Sequence, residues 1–339
     1  MPGIADLPWR WPCPSMRRET TTTMSVAWLP DGSEESLRFA MEVCAPALAN
    51  LPLRINPRHA ASNPLWWSSS AVVDDRFVVK FAWSEIRAGR LWREGMVLER
   101  LRAQAPSLAL PELVVLSREP ALLVTRRVEG EPMSWEWASS LGDGETAQVA
   151  RQIAAFLVRL HGVPPGAVID DLPVVLPTAQ ADTESLRRRF SPLVDEVRGQ
   201  SVLRWCEWVD DVLESRPMPL PEVLVHGDLH GYNQVWDRAS ASLLAVVDFE
   251  ESGIADPHFD LRYLPGNSHG PQLVLAVMAA YEQLSGRRLS VERVMAWHVL
   301  TALGDAMWRT EAGVALPGGG TATTYVDRLS LELAALELH

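Results

Sequence analysis

The chain is short of cysteine, of long apolar runs and of clustered basic residues, and it shows no internal repeat. Its three cysteines, Cys13, Cys44 and Cys206, lie too far apart for a paired metal motif or a disulfide framework, so a reducing cytoplasm is the expected setting. No stretch approaches the roughly eighteen uninterrupted apolar residues that a membrane helix needs, and no membrane partner is expected. Met1 to Thr23 hold prolines, tryptophans and a threonine run without an apolar signal core. They read as an N-terminal extension over residues 1–25, with Met24 an alternative start. The net charge of −12 argues against a nucleic-acid partner, because backbone binding needs clustered Lys and Arg, and it tilts the expectation toward cationic substrates. A monomer or homodimer is expected.

What is present is more specific. A chain of 339 residues with 47% hydrophobic content can bury a large core, commonly in two lobes. An apolar run, Val223 to Val225, leads into His226-Gly227-Asp228-Leu229-His230-Gly231-Tyr232-Asn233, and a second, Leu243 to Val247, ends at Asp248-Phe249-Glu250. The residues between read as a hairpin, with Gln234 to Asp237 one strand, Arg238 to Ser242 the turn and Leu243 to Phe249 the return. A hairpin brings the chain back to its start, so Asn233 and Asp248 are expected together at the open end. An amide oxygen and a carboxylate there suit a hard cation such as Mg2+.

These residues carry a resemblance. The segment His226 to Asn233 with the downstream Asp248-Phe249-Glu250 resembles the aminoglycoside phosphotransferase family, the small-molecule branch of the protein-kinase-like fold. The resemblance implies an α+β, bilobal chain: a small N-terminal lobe (26–127) with an antiparallel sheet and one key helix, and a larger, mostly helical C-terminal lobe (128–339). It implies that Asp228 accepts the substrate hydroxyl proton, that Asn233 and Asp248 hold Mg2+, and that ATP or GTP is the phosphoryl donor. His-Gly-Asp and Asp-Phe-Glu stand here where protein kinases have His-Arg-Asp and Asp-Phe-Gly, which favours a small-molecule kinase.

The nucleotide side of the site follows from Ala71 to Ala82, a hairpin in which Lys80 interrupts an apolar strand. In the next helix Leu91, Leu98 and Leu101 share a face; at 3.6 residues per turn Glu94 falls in the middle of it and Glu99 on the opposite side. A carboxylate on a buried face is costly without a cation, and Lys80 is the expected partner; a Lys80 that snorkels to solvent at a sheet edge and a Glu94 on an exposed helix end are the alternatives. In kinase-like folds that pair presents the Lys to the nucleotide phosphates. The phosphate-covering loop falls on Arg58 to Asn63, where no glycine-rich pattern occurs; Ser62 and Asn63 are candidate phosphate donors, and a plain turn is the alternative. Strands at Glu112 to Leu116 and Ala121 to Thr125 lead to Arg126, Arg127 and Val128, which the resemblance places at the adenine-binding hinge; solvated arginines are the alternative.

In the second lobe Val149, Ile153, Phe156, Leu157 and Leu160 form a helical stripe ending at His161-Gly162, with His161 read as a packing residue. Two further helices are expected at Asp182 to Arg198 and Ser201 to Ser215. The resemblance gives Asp260 the task of orienting the catalytic loop, and His226 and His230 read as scaffold. Acceptor contacts are expected from Val163 to Pro221, from Glu250 and Glu251, and from Asp305 and Glu311, for which an acidic, solvated helix end is the alternative. The fourteen tryptophans are expected mostly in packing, a few as a stacking wall. The expected reaction is O-phosphorylation of an antibiotic or related natural product. The alternatives are a metabolic kinase acting on choline, homoserine, a thiosugar or an amino sugar, and a nucleotide-binding pseudokinase.

Overall fold

The computed structural model describes residues 27–56, 67–177, 179, 181–214, 220–267, 271–316 and 320–338. The fold is protein-kinase-like and bilobal. The N-terminal lobe begins with helix α1 (Glu34–Cys44), capped by Ser33, and continues through strands β1 (Leu53–Ile55), β2 (Ser68–Val73) and β3 (Phe77–Ala82). Helix α2 (Glu85–Gln104) follows, then β4 (Leu113–Arg118) and β5 (Ala121–Arg126). The five strands form one antiparallel sheet in the order β1-β2-β3-β5-β4. Asp74 and Asp75 both take positive φ between β2 and β3, as a tight hairpin with the right strand twist requires.

Alternation along β3 sorts its side chains between two layers. Val79 and Phe81 are fully buried against Leu37, Ala40 and Met41 of α1. Lys80 and Ala82 face the other way, toward α2. Helix α2 is capped by the Ser84 hydroxyl, which accepts the Arg87 N–H. It buries Leu91, Leu98 and Leu101, each worth about 1.5–3 kcal/mol when removed from water. That apolar stripe holds the helix against the sheet and against the second lobe.

After β5 the chain crosses to the C-terminal lobe through β6 (Glu131–Pro132), α3 (Trp135–Ser140), α4 (Asp143–His161), the short turns α5 (Gly166–Ile169) and α6 (Thr183–Ser185), and α7 (Glu196–Glu214). Then come β7 (Val223–Val225), β8 (Gln234–Asp237), β9 (Ser242–Val246) and β10 (Gly253–Ala255), followed by α8 (Gln272–Ser285), α9 (Val291–Ala312) and α10 (Ala322–Ala335). Strands β8 and β9 make the expected hairpin, and β6 pairs with β8. Strand β7 pairs with β10, so the segment before His226 lies beside the one after Glu251. One core joins α2, α4 and α8 around the fully buried Trp236, and another joins α7, α9 and α10. Among the described residues no helix is long and apolar enough to cross a membrane.

The helix expected over Asp182 to Arg198 is not continuous. It runs from α6 into a widened turn, Leu186–Phe190, then a tight turn, Ser191–Leu193, before Val194 becomes extended. Pro192 has no N–H to donate back along a helix. Asp195 restarts the chain by accepting the Arg198 N–H at 3.1 Å, so α7 begins at Glu196 and runs unbroken through the second expected helix.

The lobes are joined on one side by arginines of α2. Arg93 is 1% exposed and donates to three carbonyls of the C-terminal lobe, Pro173 O at 2.9 Å, Glu250 O at 3.3 Å and Ser252 O. Arg87 pairs with Glu250 at 2.9 Å and Arg90 with Glu251. Arg93→Met keeps much of the volume and leaves those carbonyls without their donor. It is expected to cost about 2–4 kcal/mol in urea denaturation; a loss below about 0.5 kcal/mol, the range of surface substitutions, would contradict this account.

Candidate active site

The sheet and α2 meet the hairpin at Lys80. Its Nζ donates to Glu94 Oε1 at 2.7 Å and Oε2 at 2.9 Å, and to Asp248 Oδ1 at 2.8 Å. Glu94 is 2% exposed, as its place in the apolar stripe requires. Burial pushes its carboxyl up, with Lys80 opposing. Burial also works against the charge on Lys80, but Asp248, Glu94 and Glu250 outweigh it and hold the ammonium above the ordinary lysine value. Lys80 is the sole lysine of the chain, every other member of the 31 Lys and Arg residues being arginine. That singularity is a sequence signal the periodicity argument did not need, and it points to the same residue.

The loop after β7 is held from below. Asp260, fully buried, accepts the His226 N–H at 2.8 Å on one oxygen and the Gly227 N–H at 2.9 Å on the other. His161 Nε2 lies 3.3 Å from it and turns Nδ1 to the Tyr281 hydroxyl at 3.1 Å. Gly227 has a φ of +86°, and a Cβ there would lie 2.2 Å from Glu251 O, so only glycine fits. His226 accepts the Asp228 N–H at Nδ1 (3.1 Å) and donates from Nε2 to Val247 O (2.9 Å). That pattern needs the neutral imidazole, and burial lowers its pKa accordingly.

Asp228 thus stands partly exposed on a loop whose backbone is fixed on both sides. Its Oδ1 accepts the Tyr263 hydroxyl at 2.7 Å, and Oδ2 lies 3.3 Å from Asn233 Nδ2 and 3.4 Å from His230 Nε2. Asn233 Nδ2 also donates to Asp228 O at 2.8 Å, which turns the amide oxygen the other way. The Asn233 carbonyl accepts the Val247 N–H at 2.9 Å, bringing Asp248 to the same end of the hairpin. Asp248 adopts a left-handed backbone, φ 70° and ψ 60°, a strained state for a non-glycine residue that aims its carboxylate at Lys80. Burial opposes ionisation of Asp248, but Lys80 overcomes it and lowers the pKa.

The donor set fits a hard divalent cation. The Asn233 amide and the Asp248 carboxylate, at one end of the hairpin, offer oxygen atoms of the kind that Mg2+ prefers. Among the described residues no group of three or more His, Cys, Asp or Glu could enclose a metal. A cation here would therefore complete its shell with phosphate and water oxygens.

The other expected charged residues have partners of their own. Glu250 and Glu251 bind Arg87 and Arg90 across the lobe junction, so both carboxylates are engaged in joining the lobes. Arg126 binds Glu112 at 2.8 Å and Arg127 reaches Asp75 O at 3.1 Å, both at the turn end of the sheet, while Val128 is half-buried in the connection to β6. Asp305 is paired with Arg309 one turn along α9, and Glu311 with Arg189. Ser62 and Asn63 lie outside the described residues, as does the 1–25 extension. Tyr263, Arg262 and the α2 arginines escaped the sequence argument, because none interrupts a periodic pattern.

The Asp260 contacts carry a pH signature. Burial alone would raise its pKa, but His161, His226 and the loop N–H groups prevail and lower it. A depressed carboxylate contributes fully above its unfolded value, about 3.9, and loses that contribution as pH falls below it. Asp260→Asn is expected to be less stable than wild type by about 2–4 kcal/mol at neutral pH. Urea midpoints followed into acid should show the gap narrowing below about pH 4; a constant gap would refute the role given to the charge.

Comparison with known proteins agrees with this geometry. A family model described as the phosphotransferase enzyme family matches residues 55–297. Viomycin phosphotransferase of Streptomyces vinaceus is 30% identical over 168 residues, 48% of this chain and 55% of that protein, so the match spans about half the length of that curated relative. Among solved structures, the GDP complex of wild-type aminoglycoside 2'-phosphotransferase-IIIa superposes with a TM-score of 0.66 at 17% identity, over 89% of this chain and 99% of that one. A choline/ethanolamine kinase family protein from Mesorhizobium loti does so with a TM-score of 0.58 at 18% identity, over 90% and 95% of the two chains. These similarities at low identity are similarities of fold. The family match covers strands β2 to β5 of the sheet, the Lys80 cluster, the Asp228 loop and the hairpin, and the chain belongs to the phosphotransferase enzyme family.

Proposed function

We propose that the protein is an Mg2+-dependent O-phosphotransferase that moves the γ-phosphoryl group of ATP or GTP to a hydroxyl of an antibiotic or related natural product. The observation that carries the proposal is the linked set Lys80–Asp248, Val247–Asn233 and Asn233–Asp228, which brings these side chains together where the lobes join. The similarity to viomycin phosphotransferase favours an antibiotic acceptor over a metabolite such as choline or homoserine.

In this reading Lys80, held by Glu94, meets the nucleotide phosphates as a fixed positive charge. Asn233 and Asp248 would hold Mg2+, which supplies charge neutralisation at the phosphates when bound. Asp228 orients the acceptor hydroxyl and takes its proton as the acceptor oxygen bonds to the γ-phosphorus. The bond from that phosphorus to the bridging oxygen breaks, and the electron pair leaves with the nucleoside diphosphate. No covalent enzyme intermediate is needed; positioning and electrostatics supply most of the acceleration. Glu250, Glu251, Asp305 and Glu311, expected as acceptor contacts, are each paired with an arginine, and this reading assigns them no step.

Transfer should be assayed with ATP and with GTP against viomycin, kanamycin, choline and homoserine. Asp228→Ala is expected to lower turnover by about 100-fold or more with nucleotide affinity nearly intact, whereas Asp248→Ala should weaken Mg-nucleotide binding as well. Near-normal turnover in Asp228→Ala would remove the catalytic assignment. Turnover of choline or homoserine alone would move the protein to a metabolic kinase, and tight nucleotide binding without any transfer would make it a pseudokinase.

A further inference from the structure

Asp228 is gripped at one oxygen by a residue outside the motif that carries it. Tyr263 lies 35 positions downstream, and its hydroxyl donates to Asp228 Oδ1 at 2.7 Å. The same phenol oxygen accepts from Arg262 Nη2 at 3.1 Å. Arg262 is 3% exposed and also donates to Gly227 O at 2.6 Å and, through Nη1, to Phe259 O at 3.1 Å. Its guanidinium lies 3.8 Å from the Phe259 ring centre and 4.3 Å from that of Tyr263. The Tyr263 ring is packed from another side by His230, edge to face at 5.6 Å. The phenol is therefore fixed by contacts with Arg262, His230 and Asp228, and the donor chain runs Arg262 to Tyr263 to Asp228. An adjacent cation polarises a hydroxyl and strengthens the bond it donates.

The phenol stays protonated. Burial raises its pKa; Arg262 opposes, but Asp228 and Asp305 add to the rise and leave it above the ordinary tyrosine value. At neutral pH Tyr263 therefore donates to Asp228 and cannot itself serve as the base. The two oxygens of Asp228 are unequal as a result. Oδ1 has one short bond, while the contacts of Oδ2 are longer, 3.3 Å to Asn233 and 3.4 Å to His230.

Resting on the proposed role of Asp228, we infer that Tyr263 is a positioning residue that locks the plane of the Asp228 carboxylate through Oδ1 and leaves Oδ2 as the oxygen that takes the acceptor proton. Without it the carboxylate keeps only longer contacts, 3.3 Å to Asn233 and 3.4 Å to His230 at Oδ2 and 3.8 Å from Arg262 Nη2 to Oδ1, which hold its plane less firmly. A misplacement on the ångström scale at a reacting group costs up to about 100-fold in rate. The effect falls on turnover, because Tyr263 is not among the residues assigned to the nucleotide phosphates.

The test is steady-state transfer from Mg-ATP and Mg-GTP to viomycin, and to water as nucleotide hydrolysis, in wild type, Tyr263→Phe and Asp228→Ala. Thermal melting and nucleotide titration are run on each protein. Tyr263→Phe retains the ring and its packing, and it is expected to lower kcat by about 10- to 100-fold with KM for nucleotide within about twofold and an unchanged melting temperature. A residue that only supports the fold would shift melting, or KM together with kcat. If Asp228→Ala is inactive while Tyr263→Phe keeps wild-type kcat, or loses activity in step with melting, the inference falls and the proposed function stands. If Asp228→Ala stays active, or wild type transfers phosphate to neither viomycin nor water, both fall together.

Discussion

A carboxylate placed in the middle of an apolar helix face is the constraint on which the rest of the site depends. Burying Glu94 without a cation would cost several kcal/mol, and the sheet answers with Lys80, carried on the face of β3 that meets α2. Lys80 in turn holds Asp248 from the other lobe. One ammonium thus ties together the sheet, the helix and the β8–β9 hairpin. The excess of negative charge around it keeps it protonated and leaves carboxylate available for another cation. Its place between three carboxylate oxygens suits the compact charge of lysine better than the broad, planar fork of arginine, in a chain that uses arginine at every other such position.

A second set of contacts stabilises the loop that presents Asp228. Asp260 satisfies two loop N–H groups, His226 links the loop to Val247, and Arg262 holds the Gly227 carbonyl. Each is buried, and each contact is part of a connected polar network, the arrangement in which hydrogen bonds rigidify most. Beside it, Arg87, Arg90 and Arg93 bind acidic and carbonyl oxygens just past the hairpin. The lobes are therefore joined both through the reactive cluster and next to it, so the cleft geometry rests on electrostatics as much as on apolar packing.

How much of this was legible in the sequence depends on the range of the interaction. The β8–β9 hairpin was readable because strand alternation and turn residues are local. The Glu94 argument succeeded because helical periodicity exposes a charge on the wrong face, and Lys80 interrupts the apolar strand that precedes the helix. The partners of Glu250 and Glu251 were not readable: Arg87 and Arg90 lie more than 160 positions away, and an exposed-looking carboxylate has no periodic signature. Tyr263 failed to stand out for the same reason. The break within residues 182–198 was signalled by Pro192, whose missing N–H outweighed the helical pattern around it. Ser62 and Asn63 had only turn chemistry to recommend them, which suits many loops equally.

The central claim is that Lys80, balanced between Glu94 and Asp248, is built to receive nucleotide phosphates. Because it is the only lysine, protein made with isotopically labelled lysine carries a single side-chain signal in an NMR spectrum. Titration with a nucleoside triphosphate, with and without Mg2+, reads that site directly while calorimetry follows binding. The account predicts that the signal shifts on binding of the Mg-nucleotide. It predicts further that Glu94→Gln displaces the signal in the free protein and weakens the response. A signal that stays in place while calorimetry records saturation, or a protein that binds no nucleotide at all, would contradict it.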